Sequence, residues 1–190
     1  MTVLGISGAV RRPSRTTSLI DVITDGVETH LGGDVDRLDL VGAAPILFRA
    51  LRADQLDADG RDIIRRVETA DVLVVGSPVY RASYTGALKH LFDLVDYRAL
   101  AGKSVILAAT GGTPLHGLMI EHQLRPLFGF FGALTIPTSV YAIESDFTEY
   151  ALVNPAIHQR IERAVEELRT FLPSARQSRD HKSYLARAIA

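Results

Sequence analysis

Between Gly5 and Ser18 the chain reads Gly-Ile-Ser-Gly-Ala-Val-Arg-Arg-Pro-Ser-Arg-Thr-Thr-Ser. A glycine, hydroxyl side chains and three arginines lie between an apolar run, Thr2 to Ile6, and an amphipathic pattern, Leu19, Ile20, Ile23, Val27 and Leu31. That is a strand, a turn and a helix start rich in anion-binding groups. The first-turn amides of a helix lack intrahelical partners and carry partial positive charge. Backbone, hydroxyls and Arg15 together could hold a phosphate there. The stretch also reads as a surface loop before a well-capped helix, with Ser14 or Thr16 as the cap.

Two later loops have a similar character. Pro78-Val79-Tyr80-Arg81-Ala82-Ser83-Tyr84-Thr85-Gly86 offers a rigid start, an apolar wall and an aromatic face. Thr110-Gly111-Gly112-Thr113-Pro114 lets backbone approach a flat ring closely, because two residues lack side chains. Tyr84 reads equally well as ordinary packing. One flavin with a single phosphate at the first loop would fit all three.

The elements that must position these loops alternate. Asp34 to Leu40 reads as a second strand, Val41 to Arg52 as a loop, and Ala53 to Thr69 as a helix. Asp71 to Ser77 and Ser104 to Ala109 are continuously apolar, as strands covered on both faces should be. A helix follows Gly86, another runs from Pro114 to about Phe131, and Leu134 to Ile136 starts a fifth strand. Asn154 caps a last helix that ends near Leu172, with Pro155 at its first position. The expected fold is three-layer α/β/α, with a five-stranded parallel sheet in flavodoxin-like order 2-1-3-4-5. In that order strands 1, 3 and 4 are neighbours, and their carboxyl ends carry the three loops. Residues 1–172 read as one domain, and 173–190 as a basic, loosely held tail.

Composition excludes several classes. A net charge of −1 over 190 residues argues against a nucleic-acid binder and against a strongly acidic electron carrier. The absence of cysteine removes disulfides, thiol catalysis and thiolate-bound clusters. The six histidines show no metal-ligand spacing. The chain opens directly in a strand pattern, so no signal peptide is expected and a cytoplasmic location is. Pro126 to Ile143 carries no charge, but its prolines and glycines suit a helix end, a turn and a short strand better than a membrane span. Gly102-Lys103-Ser104 lacks the glycine of a P-loop, since Tyr97 stands there. Gly5-Ile6-Ser7-Gly8-Ala9 lacks the final glycine of a nucleophile elbow.

The segments Gly5 to Ser18, Gly76 to Lys89 and Ala109 to Thr113 resemble the NADPH-dependent FMN reductases of the flavodoxin-like fold. Within that family, Ile120-Glu121-His122-Gln123-Leu124-Arg125-Pro126-Leu127 is most similar to the flavin-supplying components of two-component alkanesulfonate and methanesulfonate monooxygenases. The resemblance implies FMN phosphate at Ser7, Ser14, Arg15, Thr16, Thr17 and Ser18. It implies the flavin ring at Pro78, Val79, Tyr80 and Thr110 to Thr113, with Arg81 alongside. It implies hydride transfer from NADPH, or NADH, to FMN, and a separate monooxygenase that takes the reduced flavin. Arg11, Arg12 and Arg81 are candidates for the extra phosphate of NADPH, or plain surface charges. No catalytic acid or base is demanded, because the cofactors carry the chemistry. The alternatives are a reductase of quinones, azo dyes or metal ions that keeps its FMN, and a non-enzymatic flavodoxin-like carrier.

Pro126 lacks an N–H and its ring crowds the carbonyl of His122, so the helix should kink or bulge there. In the sulfonate-linked reductases an inserted tyrosine is expected to form a π-bulge, and here that position holds His122. A role in flavin exchange or subunit contact and a plain proline kink remain equal readings. An exposed apolar face at Leu118, Met119 and Phe130 predicts a homodimer or homotetramer.

Overall fold

The computed structural model describes residues 1–172; the basic tail from 173 lies outside them. The parallel strands are β1 (Thr2–Ser7), β2 (Asp34–Asp39), β3 (Val72–Pro78), β4 (Ser104–Gly111) and β5 (Leu134–Thr135), in the order β2-β1-β3-β4-β5. Alternation along the central strands divides the core in two. Val72, Val74, Ile106 and Ala108 face α1 (Arg15–Leu31) and α6 (Pro155–Phe171). Leu73, Val75, Leu107 and Ala109 face α2 (Leu40–Leu47), α3 (Ala58–Thr69) and α4 (Gly86–Asp93). A sheet covered on both sides needs apolar residues at both parities, which is why β3 and β4 read as unbroken apolar runs.

Helix starts follow side-chain capping. Ser14 caps α1, accepting from the Thr17 amide at 3.3 Å. Thr85 caps α4, accepting from the Leu88 amide at 3.2 Å, while its own hydroxyl donates to the Gly8 carbonyl at 2.7 Å. That second bond ties the start of α4 to the loop after β1. Asn154 caps α6 with Pro155 in the first turn, as expected.

Several expectations on boundaries are corrected. Val41 to Arg52 is not all loop. Its first part lies in α2, capped by Asp39 and burying Leu40, Ala43 and Leu47. Gly42 and Pro45 argue against a helix locally, but burial of that face outweighs propensity. The helix expected from Ala53 starts at Ala58, capped by Asp57, after a separate 3₁₀ turn at Ala53–Gln55. The helix expected from Pro114 to Phe131 is broken into a 3₁₀ turn (Pro114–His116), a π-helical turn (Ile120–Leu124) and α5 (Arg125–Phe130). The Arg125 amide reaches back to the Ile120 carbonyl, one residue further than in an α-helix. The distortion expected at His122 is therefore a π-bulge. Met119, expected on the exposed face, is buried, while Leu118 and Phe130 are exposed.

The fifth strand position is split. β5 pairs only with Ser104 and Val105, Pro137 follows, and β6 (Val140–Ile143) resumes pairing with Ala108 to Gly111. Beyond β6 a small hairpin forms from β7 (Phe147–Thr148) and β8 (Ala151–Leu152). Among the described residues no helix is long and apolar enough to cross a membrane.

Candidate functional site

The carboxyl ends of β1, β3 and β4 meet at one edge, and a cleft of about 240 Å³ opens there. Of the residues singled out from the sequence, Ser14, Arg15, Thr16, Pro78, Val79, Tyr80, Thr110, Gly111 and Gly112 all line it. Thr17 and Ser18 line an adjoining depression that shares Pro13, Ser14 and Tyr150 with the cleft.

Hydroxyl pairs fix the walls relative to one another. Ser7, buried behind the first loop, pairs with Thr17 at 2.8 Å. Thr16 pairs with Thr110 at 2.6 Å, so the start of α1 is tied to the end of β4. Both side chains are buried, where an unpaired hydroxyl would be costly. The Val79 amide donates to the Thr110 carbonyl at 2.8 Å, joining the second loop to the third.

The two glycines of the third loop do different jobs. A Cβ on Gly111 would fall 2.2 Å from the Tyr141 hydroxyl oxygen. That hydroxyl donates to the Thr113 carbonyl at 2.6 Å and holds the loop's shape. Burial pushes the Tyr141 phenol above its ordinary pKa, with a smaller push from Asp146. It therefore stays a donor. A Cβ on Gly112 would meet nothing within 4 Å, so its backbone is open to a ligand's edge.

Four further candidates lie off the cleft wall. Ser7 supports it from behind. Thr113 is exposed and contributes its carbonyl to Tyr141. Arg81 sits at the tip of a tight turn closed by mutual bonds between Tyr80 and Ser83, at 2.8 and 3.0 Å. Both central residues of that turn have positive φ, 50° at Arg81 and 63° at Ala82. His122 is exposed on the π-turn and borders a separate groove of about 210 Å³, with Val79 common to both cavities.

A fourth wall carries no motif in the sequence. Ile143 at the end of β6, and Glu144 and Tyr150 in the segment after it, line the cleft. Asp146, buried, anchors this segment: it accepts from the Ile143 amide at 2.7 Å and the Asn154 side-chain amide at 2.6 Å. Its carbonyl accepts from the Val153 amide at 2.9 Å. The only signal in the sequence was a cluster of polar residues after an apolar tetrad. Arg11 also lines the cleft, whereas Arg12 is paired with Asp39 at 2.8 Å.

The donor set fits a phosphorylated flat ring. The start of α1, the Ser14 cap and Arg15 stand at one end, and the Arg15 Nε is buried without a partner among the described residues. Open backbone at Gly112, with Pro78, Val79 and Tyr80 opposite, stands at the other.

Residues 1–148 match the family model described as NADPH-dependent FMN reductase. The chain belongs to that family. It is 46% identical over 170 residues, 89% of this chain and 91% of the relative, to the NADH-dependent FMN reductase SfnF of Pseudomonas putida. It is 45% identical over 164 residues, 86% of this chain and 88% of the relative, to an FMN reductase (NADPH) of Pseudomonas aeruginosa. Among solved structures it is similar to the apo form of the NADH:FMN oxidoreductase EmoB, with 29% identity and a TM-score of 0.81 over 91% of this chain and 90% of that one.

Proposed function

We propose that this chain is an NAD(P)H-dependent FMN reductase that hands reduced flavin to a separate flavin-dependent monooxygenase of the sulfonate or sulfone type. The observation that carries the reading is the single cleft where an anion-binding helix start and an open glycine backbone meet across the ends of β1, β3 and β4. The flavin and nicotinamide supply the hydride chemistry between them. Ser14, Arg15, Thr16, Thr17 and Ser18 bind the phosphate. Pro78, Val79 and Tyr80 form the apolar wall that orients the ring, and backbone at Gly111 and Gly112 meets its polar edge and stabilises negative charge there. Arg11 stands where it can meet the extra phosphate of NADPH, and NADH remains a substrate. The enzyme is cytoplasmic and assembles with copies of itself through the surface that exposes Leu118 and Phe130.

A steady-state assay tests this. NADPH and NADH oxidation is followed with free FMN, with a quinone, and with neither. The expected result is a rate that saturates with FMN. A protein that purifies yellow and ignores added FMN would be a quinone-type reductase, and one idle in all mixtures would be a carrier. Gly112→Val places a side chain in open cleft space. It should weaken FMN about tenfold while leaving folding stability within about 0.5 kcal/mol.

A further inference from the structure

Arg15 opens α1 and lines the cleft, but its charge is already engaged. Its terminal nitrogen donates to the Glu144 carboxylate at 2.6 Å. Its guanidinium carbon stands 5.6 Å from the centre of the Tyr150 ring. Its Nε is buried and has no partner among the described residues. Glu144 lines the same cleft, its side chain is 68% exposed, and among the described residues Arg15 is the cation it meets. A protein carboxylate therefore rests on the arginine best placed for a ligand's phosphate, while a second donor of that arginine waits unused.

We infer that Glu144 is a competing carboxylate that sets how tightly the flavin phosphate is held: Arg15 leaves Glu144 when the phosphate enters and returns to it when the flavin departs. This rests on reading the cleft as the FMN site. A half-exposed ion pair is cheap to break. A phosphate monoester carries roughly two charges and three acceptor oxygens at neutral pH, so it can displace a carboxylate and also reach the Nε. Tyr150 keeps the guanidinium in place during the exchange through its ring face. Once the phosphate is bound, the freed Glu144 carboxylate repels it, which shortens the flavin's stay. An enzyme that treats flavin as a substrate needs such release.

The test compares dissociation constants of FMN and riboflavin, by flavin fluorescence quenching, for the wild type, Glu144→Gln and Arg15→Met. Circular dichroism and thermal melts check that each variant is folded. Riboflavin lacks the phosphate and should leave the Arg15–Glu144 pair intact. The expected result is FMN binding about threefold to tenfold tighter in Glu144→Gln, from loss of the competing pair and of the repulsion. Riboflavin affinity should stay within about twofold. Equal tightening of both flavins would overturn the inference, since Glu144 would then act on the ring. Unchanged or weaker FMN binding in Glu144→Gln, with Arg15→Met weaker by about tenfold or more, would overturn it and leave the cleft reading standing. Unchanged FMN binding in both variants would overturn both.

Discussion

The side-chain oxygens of Thr16 and Thr110 lie 2.6 Å apart, joining residues 94 positions apart in the chain across the base of the cleft. Each hydroxyl is buried, so neither can turn to water if its partner is lost. Valine at either position alone should cost about 1–2 kcal/mol, because it strands the other hydroxyl. Valine at both should cost less than the sum, since no unpaired group remains. Urea unfolding of the two single variants and the double variant measures the coupling. Additive losses would mean that the pair contributes nothing as a pair.

Gly111 and Tyr141 compete for one volume. Gly111→Ala should destabilise the protein by about 1–3 kcal/mol, because its methyl meets the Tyr141 hydroxyl. Adding Tyr141→Phe removes the oxygen and should restore part of that loss, even though Tyr141→Phe alone forfeits the bond to Thr113. Thermal melts of the three variants decide it. If the second substitution makes matters worse, the clash lies elsewhere.

Ala82 holds φ at 63°, a conformation that costs an L-residue about 1–2 kcal/mol and glycine very little. Ala82→Gly should therefore raise stability by about 0.5–1 kcal/mol, net of the added freedom of the unfolded chain. A lower melting temperature in that variant would show the turn to be unstrained.

Glu121 receives two bonds from the Arg125 guanidinium, at 2.5 and 2.9 Å, and one from the Ser139 hydroxyl at 3.1 Å. Arg125 also donates to the carbonyls of Ile136 and Pro137, so the pair clamps the π-turn to the break between β5 and β6. The hydrogen bonds from Arg125 hold the Glu121 carboxyl below its ordinary value of 4.5. A carboxyl depressed in the folded state contributes stability that is complete above its unfolded pKa and lost as pH falls through the folded one. Glu121→Gln should thus cost on the order of 1 kcal/mol at neutral pH, kept small by solvent screening. Its stability should also decline less steeply than the wild type's as pH drops below about 4.5. Denaturant midpoints on either side of that pH give the comparison. Parallel curves would assign the acid loss to other carboxylates, Asp36 beside Arg66 among them.

The layers and sheet order could be read from the chain because β1, β3 and β4 are apolar on both faces, which only a doubly covered sheet requires. Their order then brought three loops together without further information. The α2 helix could not be read, because Gly42 and Pro45 oppose it locally and only tertiary burial of Leu40, Ala43 and Leu47 supports it. The bulge at His122 was legible from Pro126, but its position outside the cleft was not, since that depends on how the π-turn packs. Glu144 and Tyr150 are illegible in the sequence for a related reason. They lie in irregular chain, and nothing in their spacing says that the split fifth strand delivers them to the cleft beside Arg15.

Asp146 gathers bonds from Ile143, Val153 and Asn154, so both ends of the segment carrying Glu144 and Tyr150 are fastened at one residue. Beyond Ile143, which still pairs with Gly111 in the sheet, the fourth wall is in effect a cassette: a loop closed at its own base. Related chains could lengthen, shorten or recharge it while the sheet and the other three walls stay as they are. The charge and shape of the cleft mouth would then be free to change independently of the sheet that carries the other walls.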